Sequence, residues 1–243
     1  MKQILITGAN GQLGSYLAKA YHQEGYALEL LYHKRKQRIV ELFDEPNVMS
    51  AACDLTDFNG LNQKLAMLKV KPDILIHCAS VRSSDALPLA ETEPETFCRV
   101  FNSNLYSCYN ILRLVLPLMQ ESGRGRVIIM GSDISQSGLA RGSAYAAAKA
   151  AMVNMVKSVA KEMAGQNILI NAISPAPIDT DLEEDYQGEY LEFRKKYFAD
   201  FVAKTPTGKL VSKDEIKRVI DMLIDDDIMN LTGKEIVLDG GLS

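Results

Sequence analysis

A tyrosine and a lysine stand four positions apart in the run Tyr145-Ala146-Ala147-Ala148-Lys149. The alanine-rich surroundings predict a helix, and a spacing of four puts both side chains on one helix face. A free tyrosine titrates near 10, too high for efficient proton exchange at neutral pH. A neighbouring ammonium favours the phenolate and lowers that value. A phenol tuned in this way gives a proton to a carbonyl oxygen as hydride arrives at the carbon, and takes it back in the reverse reaction. On an exposed face the same two residues are only a solvated pair, so the chemistry depends on what surrounds them.

A second group of residues suits a phosphate. Thr7-Gly8-Ala9-Asn10-Gly11-Gln12-Leu13-Gly14 follows one apolar run and opens a helical pattern. Glycines let the chain turn sharply and approach a pyrophosphate, while a helix N-terminus offers free N–H groups and a favourable dipole. The position between a first strand and a first helix favours this reading over a bare tight turn. After the second apolar run comes Tyr32-His33-Lys34-Arg35-Lys36, with no acid. An enzyme that prefers NAD usually places an acid there for the ribose 2′-hydroxyl. His33, Lys34 and Arg35 suit a 2′-phosphate instead, so NADP (as NADPH) is expected over NAD.

These groups need elements to position them. Short apolar runs over 3–7, 28–32, 48–51, 74–78, 127–130, 169–173 and 235–238 predict strands. Helical patterns over 12–24, 34–43, 58–68, 93–120, 143–164 and 213–224 alternate with them. Strand–helix–strand repetition predicts an α/β fold with a doubly wound parallel sheet of about seven strands and helices on both faces. Ile4-Leu5-Ile6 and Ile74-Leu75-Ile76 are continuous rather than alternating, as expected where both sheet faces are buried. One domain over 1–243 is expected. The charged, aromatic stretch 175–207 breaks the rhythm and is expected to form a lid over the C-terminal edge of the sheet, where ligands bind in such folds.

Bulk properties narrow the partners. A net charge of −4 and a pI near 5.5 argue against nucleic acid, which requires a basic surface. No apolar run is long enough to span a bilayer and no signal-peptide pattern precedes the first strand, so a cytoplasmic protein without a membrane partner is expected. Cys53, Cys78, Cys98 and Cys108 are scattered, as in a reduced compartment, and three widely spaced histidines make a zinc site improbable.

In its motifs and their order the chain resembles the short-chain dehydrogenase/reductase family, in the short single-domain branch that includes 3-oxoacyl-carrier-protein reductases. The likeness runs over nearly the whole chain: the Thr7-Gly8 loop, Cys53-Asp54-Leu55, Asn104-Leu105, Gly131-Ser132, Tyr145 to Lys149, Asn171 to Pro175, Leu231-Thr232-Gly233 and Asp239-Gly240-Gly241. The resemblance implies a Rossmann-type fold and a role for each matching residue. Tyr145 would be the general acid/base, and Lys149 would lower its pKa and bond the nicotinamide ribose. Ser132 would hold the substrate carbonyl, and Asn104 would anchor a water. Gly8, Asn10, Gln12 and Leu13 would line the pyrophosphate. Asp54 and Leu55 would border the adenine, Ala79 the ribose, and Pro175, Ile178 and Thr180 the nicotinamide carboxamide. Three departures stand out: Gln12 where the short branch has glycine, His77-Cys78-Ala79-Ser80 where it has Asn-Asn-Ala-Gly, and Pro175-Ala176 for Pro-Gly.

The leading expectation is hydride transfer between NADP(H) and a small-molecule carbonyl/alcohol pair, free or carrier-bound. The alternative is a nucleotide-sensing module without catalysis, and epimerisation or dehydration ranks lower. The resemblance also implies a homo-oligomer, a dimer or tetramer, with Tyr106, Tyr109, Leu116, Met152, Met155 and Val156 as candidates for its surface. Arg82, Arg141 and Arg194 are candidates to meet an acidic substrate or an acyl carrier, against the plainer reading of solvated loop residues.

Overall fold

The computed structural model describes residues 1–67, 71–82 and 86–242. Its strands are β1 (Gln3–Thr7), β2 (Ala27–Tyr32), β3 (Val48–Ala52), β4 (Ile74–His77), β5 (Gly125–Met130), β6 (Ile168–Pro175) and β7 (Glu235–Leu238). The helices are α1 (Gln12–Gln23), α2 (Phe58–Ala66), α3 (Pro94–Ser122), α4 (Ile134–Ser137), α5 (Ser143–Met163), α6 (Gly188–Lys204) and α7 (Lys213–Leu223). The strands pair in parallel in the order β3-β2-β1-β4-β5-β6-β7, which is the doubly wound sheet expected from the alternation.

The continuous apolar strands serve two cores. Ile4 and Ile6 of β1, with Ile74 and Ile76 of β4, face one core, which α1 and α7 cover. Leu5 and Leu75 face the other, under α2, α3 and α5. Each fully buried Ile or Leu contributes about 1.5–3 kcal/mol relative to exposure. Met152 and Val156 are completely buried in this second core, so neither can line a surface between copies. Their spacing of four matches a core stripe.

One expected element fails. Over 34–43 there is no α-helix, only the single 3₁₀ turn Val40–Leu42. Lys34, Arg35, Lys36 and Arg38 would crowd like charges onto adjacent turns. The backbone N–H of Arg38, which a helix there would use, is instead taken by the Asn10 side-chain oxygen at 2.9 Å. The helix expected over 58–68 ends at Ala66, and Leu68 lies outside the described residues.

The topology places the site. From β1 the chain winds outwards through β2 and β3, and from β4 it winds the other way. A crevice therefore opens where the carboxyl ends of β1 and β4 lie side by side, the position at which such sheets bind ligands.

Candidate active site

Tyr145 sits in the first turn of α5 and Lys149 one turn later, both buried, at 5% and 1% exposure. They belong to the face of α5 that carries Ala148, Met152 and Val156, so the solvated-pair reading does not hold. Lys149 Nζ donates to the carbonyl of Met130, the last residue of β5, at 2.7 Å and lies 5.6 Å from the Tyr145 ring centre. From the loop after β4, the Arg82 guanidinium lies 4.6 Å from the same ring centre. Burial by itself raises the Tyr145 phenol, but Arg82 and Lys149, helped by a hydrogen bond with Ser80 and by Arg194, outweigh it and bring it from 10.0 down to about 8. A hydroxyl with that value exchanges protons near neutral pH.

Ser80 Oγ stands 3.3 Å from Tyr145 Oη and 3.0 Å from Asn104 Oδ1. Asn104, completely buried on α3, also accepts from the Val81 N–H and donates to the carbonyls of Val81 and Val100. Protein groups thus engage both ends of its amide, and its observed work is to hold the loop that carries Ser80 and Arg82. Ser132, buried at the end of β5, donates to Asp133 Oδ1 at 3.1 Å. Burial pushes the Asp133 carboxyl up, against the opposing effects of Ser132 and Arg82.

The 176–207 segment faces Tyr145 across a narrow pocket. Arg82, Tyr145, Tyr190, Phe193, Arg194 and Tyr197 line it, with Leu139, Arg141 and Gly142. Arg194 of α6 is 4% exposed and lies among three rings, 5.6 Å from Tyr186, 5.5 Å from Tyr197 and 4.9 Å from Phe198. Its Nε has no hydrogen-bond partner among the described residues.

On the other side of the crevice, the glycine loop packs directly on the residues after β4. Gly8 has φ +66°, and a Cβ there would lie 2.6 Å from the Ala79 backbone nitrogen. A Cβ on Gly14 would come within 2.4 Å of the Gly8 carbonyl oxygen. Gly11 caps α1 with no side-chain hydrogen bond, so the helix N-terminus and bare loop backbone together fit a pyrophosphate. Leu13 packs on the core beneath. Gln12, at the departed glycine position, bonds the backbone of Asp181 and the carboxylate of Asp185, tying the 181–185 turn to the loop.

Lys34 and Arg35 are exposed, while His33 Nε2 lies 3.8 Å from the Asp54 carboxylate. Asp54 itself accepts from the hydroxyl and backbone N–H of Thr56, which, with His33 and Lys34, holds its carboxyl below the usual range. The cap of α2 is Asp57. Leu55 is buried, and Asn110 of α3 donates to its carbonyl at 2.9 Å. Pro175 ends β6, its carbonyl accepting from the Asp133 N–H; Ile178 bridges to Val211, and Thr180 donates to the Ile178 carbonyl. Arg38 was not singled out by sequence, yet it is the most engaged cation here. It reaches Glu184 at 2.7 Å, Asp185 at 2.9 Å and the Asn10 carbonyl at 3.3 Å.

Comparison with known proteins agrees with this arrangement. A family model described as enoyl-(acyl carrier protein) reductase matches residues 8–243. The chain belongs to the short-chain dehydrogenase/reductase family. The 3-oxoacyl-[acyl-carrier-protein] reductase FabG of Thermotoga maritima is 29% identical over 249 residues, covering 99% of this chain and 97% of that protein. Among solved structures, 4-hydroxyisoleucine dehydrogenase complexed with NADH matches at TM-score 0.90 and 25% identity, over 100% of this chain and 99% of that one. ElxO with NADP bound matches at TM-score 0.86 and 26% identity, over 99% of this chain and 98% of that one. This reductase-family member is an oxidoreductase that moves hydride between a nicotinamide cofactor and a CH–OH/C=O pair, and the sensor alternative is not favoured.

Proposed function

We propose that Tyr145 is the general acid/base of this reaction, with NADPH preferred to NADH. The observation that carries the reading is a buried phenol at the crevice, brought to about 8 by Arg82 and Lys149, with Ser80 and Arg194, against its burial. Lys149, anchored on the Met130 carbonyl, stands beside the phenol and would bond the ribose. Ser132 orients the substrate oxygen towards Tyr145, and Asn104 positions Ser80 and Arg82. When bound, the nicotinamide supplies or takes up the hydride.

Gly8, Asn10, Gln12 and Leu13 would hold the pyrophosphate, and Asp54 and Leu55 the adenine. Ala79 would border the ribose, and Pro175, Ile178 and Thr180 the carboxamide. Exposed Lys34 and Arg35, with His33, support a 2′-phosphate contact; the relatives include both an NADH and an NADP complex. The stretch 175–207 acts as a lid. We read the protein as cytoplasmic, in keeping with four free cysteines and, among the described residues, no helix long and apolar enough to cross a membrane. Exposed Tyr106 and Tyr109 on α3 support self-association, which light scattering would detect as a mass above one chain.

The test is isotopic. With cofactor deuterated at the transferred position, deuterium should appear on the carbinol carbon of the product, measured by mass spectrometry. Deuterium retained on the cofactor, with product still formed, would point to epimerisation or dehydration instead.

A further inference from the structure

The pocket beside Tyr145 holds more positive charge than proton transfer requires. Lys149 and Arg82 already lower the phenol, yet α6 adds Arg194 from the opposite side. Among the described residues, no carboxylate lies within ion-pairing distance of Arg82 or Arg194, whereas Arg38 and Arg124 each have two. The Nε of Arg194 is buried without a hydrogen-bond partner. Burial pushes the Arg194 guanidinium down and repulsion from Arg82 adds to this, against the opposing effect of Tyr186, Tyr190 and Tyr197. Asp133 is the acid on this side, but its Oδ1 accepts the Ser132 hydroxyl and it forms no ion pair with either arginine. Aromatic faces offset part of the cost of burying such a cation. Two like charges facing one pocket are fully satisfied only by an anion placed between them.

We propose that the substrate is a short oxo- or hydroxycarboxylate whose carboxylate binds between Arg82 and Arg194 while its carbonyl or hydroxyl oxygen meets Tyr145. This rests on Tyr145 as proton donor and narrows that reading to a substrate class. A guanidinium presents a planar fork that matches the two oxygens of a carboxylate. The substrate is short because Arg82 lies over the Tyr145 ring itself, 4.6 Å from its centre, which leaves few bonds between the anion and the reacting oxygen. An acyl thioester carries no charge at that place and would leave both guanidiniums without a carboxylate among the described residues. The reaction balances as oxo acid plus NAD(P)H plus a proton giving hydroxy acid plus NAD(P)⁺.

The test compares 2-, 3- and 4-oxo acids of short chain with their methyl esters, and with the acetoacetyl thioester of N-acetylcysteamine. Each is assayed on the full chain with NADPH and with NADH. Rates are paired with calorimetric binding in the presence of oxidised cofactor. At least one acid should exceed its ester about 100-fold in kcat/KM and in affinity. Arg194→Leu and Arg82→Leu should each collapse that preference to within a few-fold, with Arg194→Lys intermediate. Esters or the thioester matching the acids, acids that neither bind nor react, or a preference surviving both leucine variants would overturn the proposal. If a leucine variant fails to fold, the acid-to-ester ratio of the wild type decides. Charge-dependent binding of acids without turnover would support the anion site and overturn the catalytic reading of Tyr145 instead.

Discussion

Arg38, which pairs with Glu184 and Asp185, and Arg194, carried by α6 farther along the same stretch, stand in opposite electrostatic states. Arg38 is partly exposed and already holds Glu184 and Asp185. Arg194 is buried among rings with no carboxylate at ion-pairing distance among the described residues. A solvated ion pair contributes only about 0–1 kcal/mol and exchanges one anion for another at little cost. A buried, unpaired cation is held in place by the packing around it, and an arriving anion changes its energy far more. The cofactor end is therefore a place of exchange, and the substrate end a place of selection.

The sharpest way to break this comparison is Tyr145→Phe. It should lower turnover about 1,000-fold while cofactor affinity, read by NADPH fluorescence, stays within about twofold. Near-normal turnover would move the chemistry away from the buried end. The pH profile comes next. Because the Tyr145 phenol is lowered from 10.0 to about 8, carbonyl reduction, which needs the protonated form, should fall about tenfold per pH unit above 8. Alcohol oxidation, which needs the phenolate, should rise up to about pH 8 and then level off. In Arg82→Leu both breaks should move upwards, since Arg82 is the largest lowering influence. An unmoved profile would remove Arg82 from the tuning.

At the exposed end the effects are smaller. Lys34→Ala with Arg35→Ala should weaken NADPH about tenfold, leave NADH nearly unchanged, and flatten the salt dependence of NADPH binding. Equal losses for both cofactors would deny a 2′-phosphate contact. Glu184→Gln with Asp185→Asn, which frees Arg38, should tighten NADPH about threefold by calorimetry. Unchanged affinity would show that these carboxylates do not compete with the nucleotide.

The sequence made the sheet legible because the five strands inside it are largely buried on both faces, which leaves continuous apolar runs such as Ile4-Leu5-Ile6. Tyr145, Lys149 and Ser132 were legible from spacing and resemblance, since helix and strand-end positions fix where they fall. The region 34–43 misled because Lys, Arg and Glu favour helices locally, whereas the deciding hydrogen bond comes from Asn10, twenty-eight positions away. Arg38 was hidden in the same basic run. Arg82 and Arg194 each look like ordinary solvated arginines; they line one pocket only once the loop after β4 and α6 meet beside Tyr145. Asn110 gave no signal, because its task is to hold a loop backbone fifty-five positions away.

Ser80, standing where relatives of the short branch carry glycine, has a consequence for how Tyr145 changes state. Its hydroxyl has one hydrogen and two neighbours within reach, Tyr145 Oη and Asn104 Oδ1. Ser80 is the donor in both contacts, so its single hydrogen serves one acceptor at a time. Once Tyr145 is a phenolate, the Ser80 hydrogen turns to it, and Asn104 Oδ1 keeps the Val81 N–H. The serine is thus a one-hydrogen rotor, and its orientation registers whether Tyr145 has given up its proton.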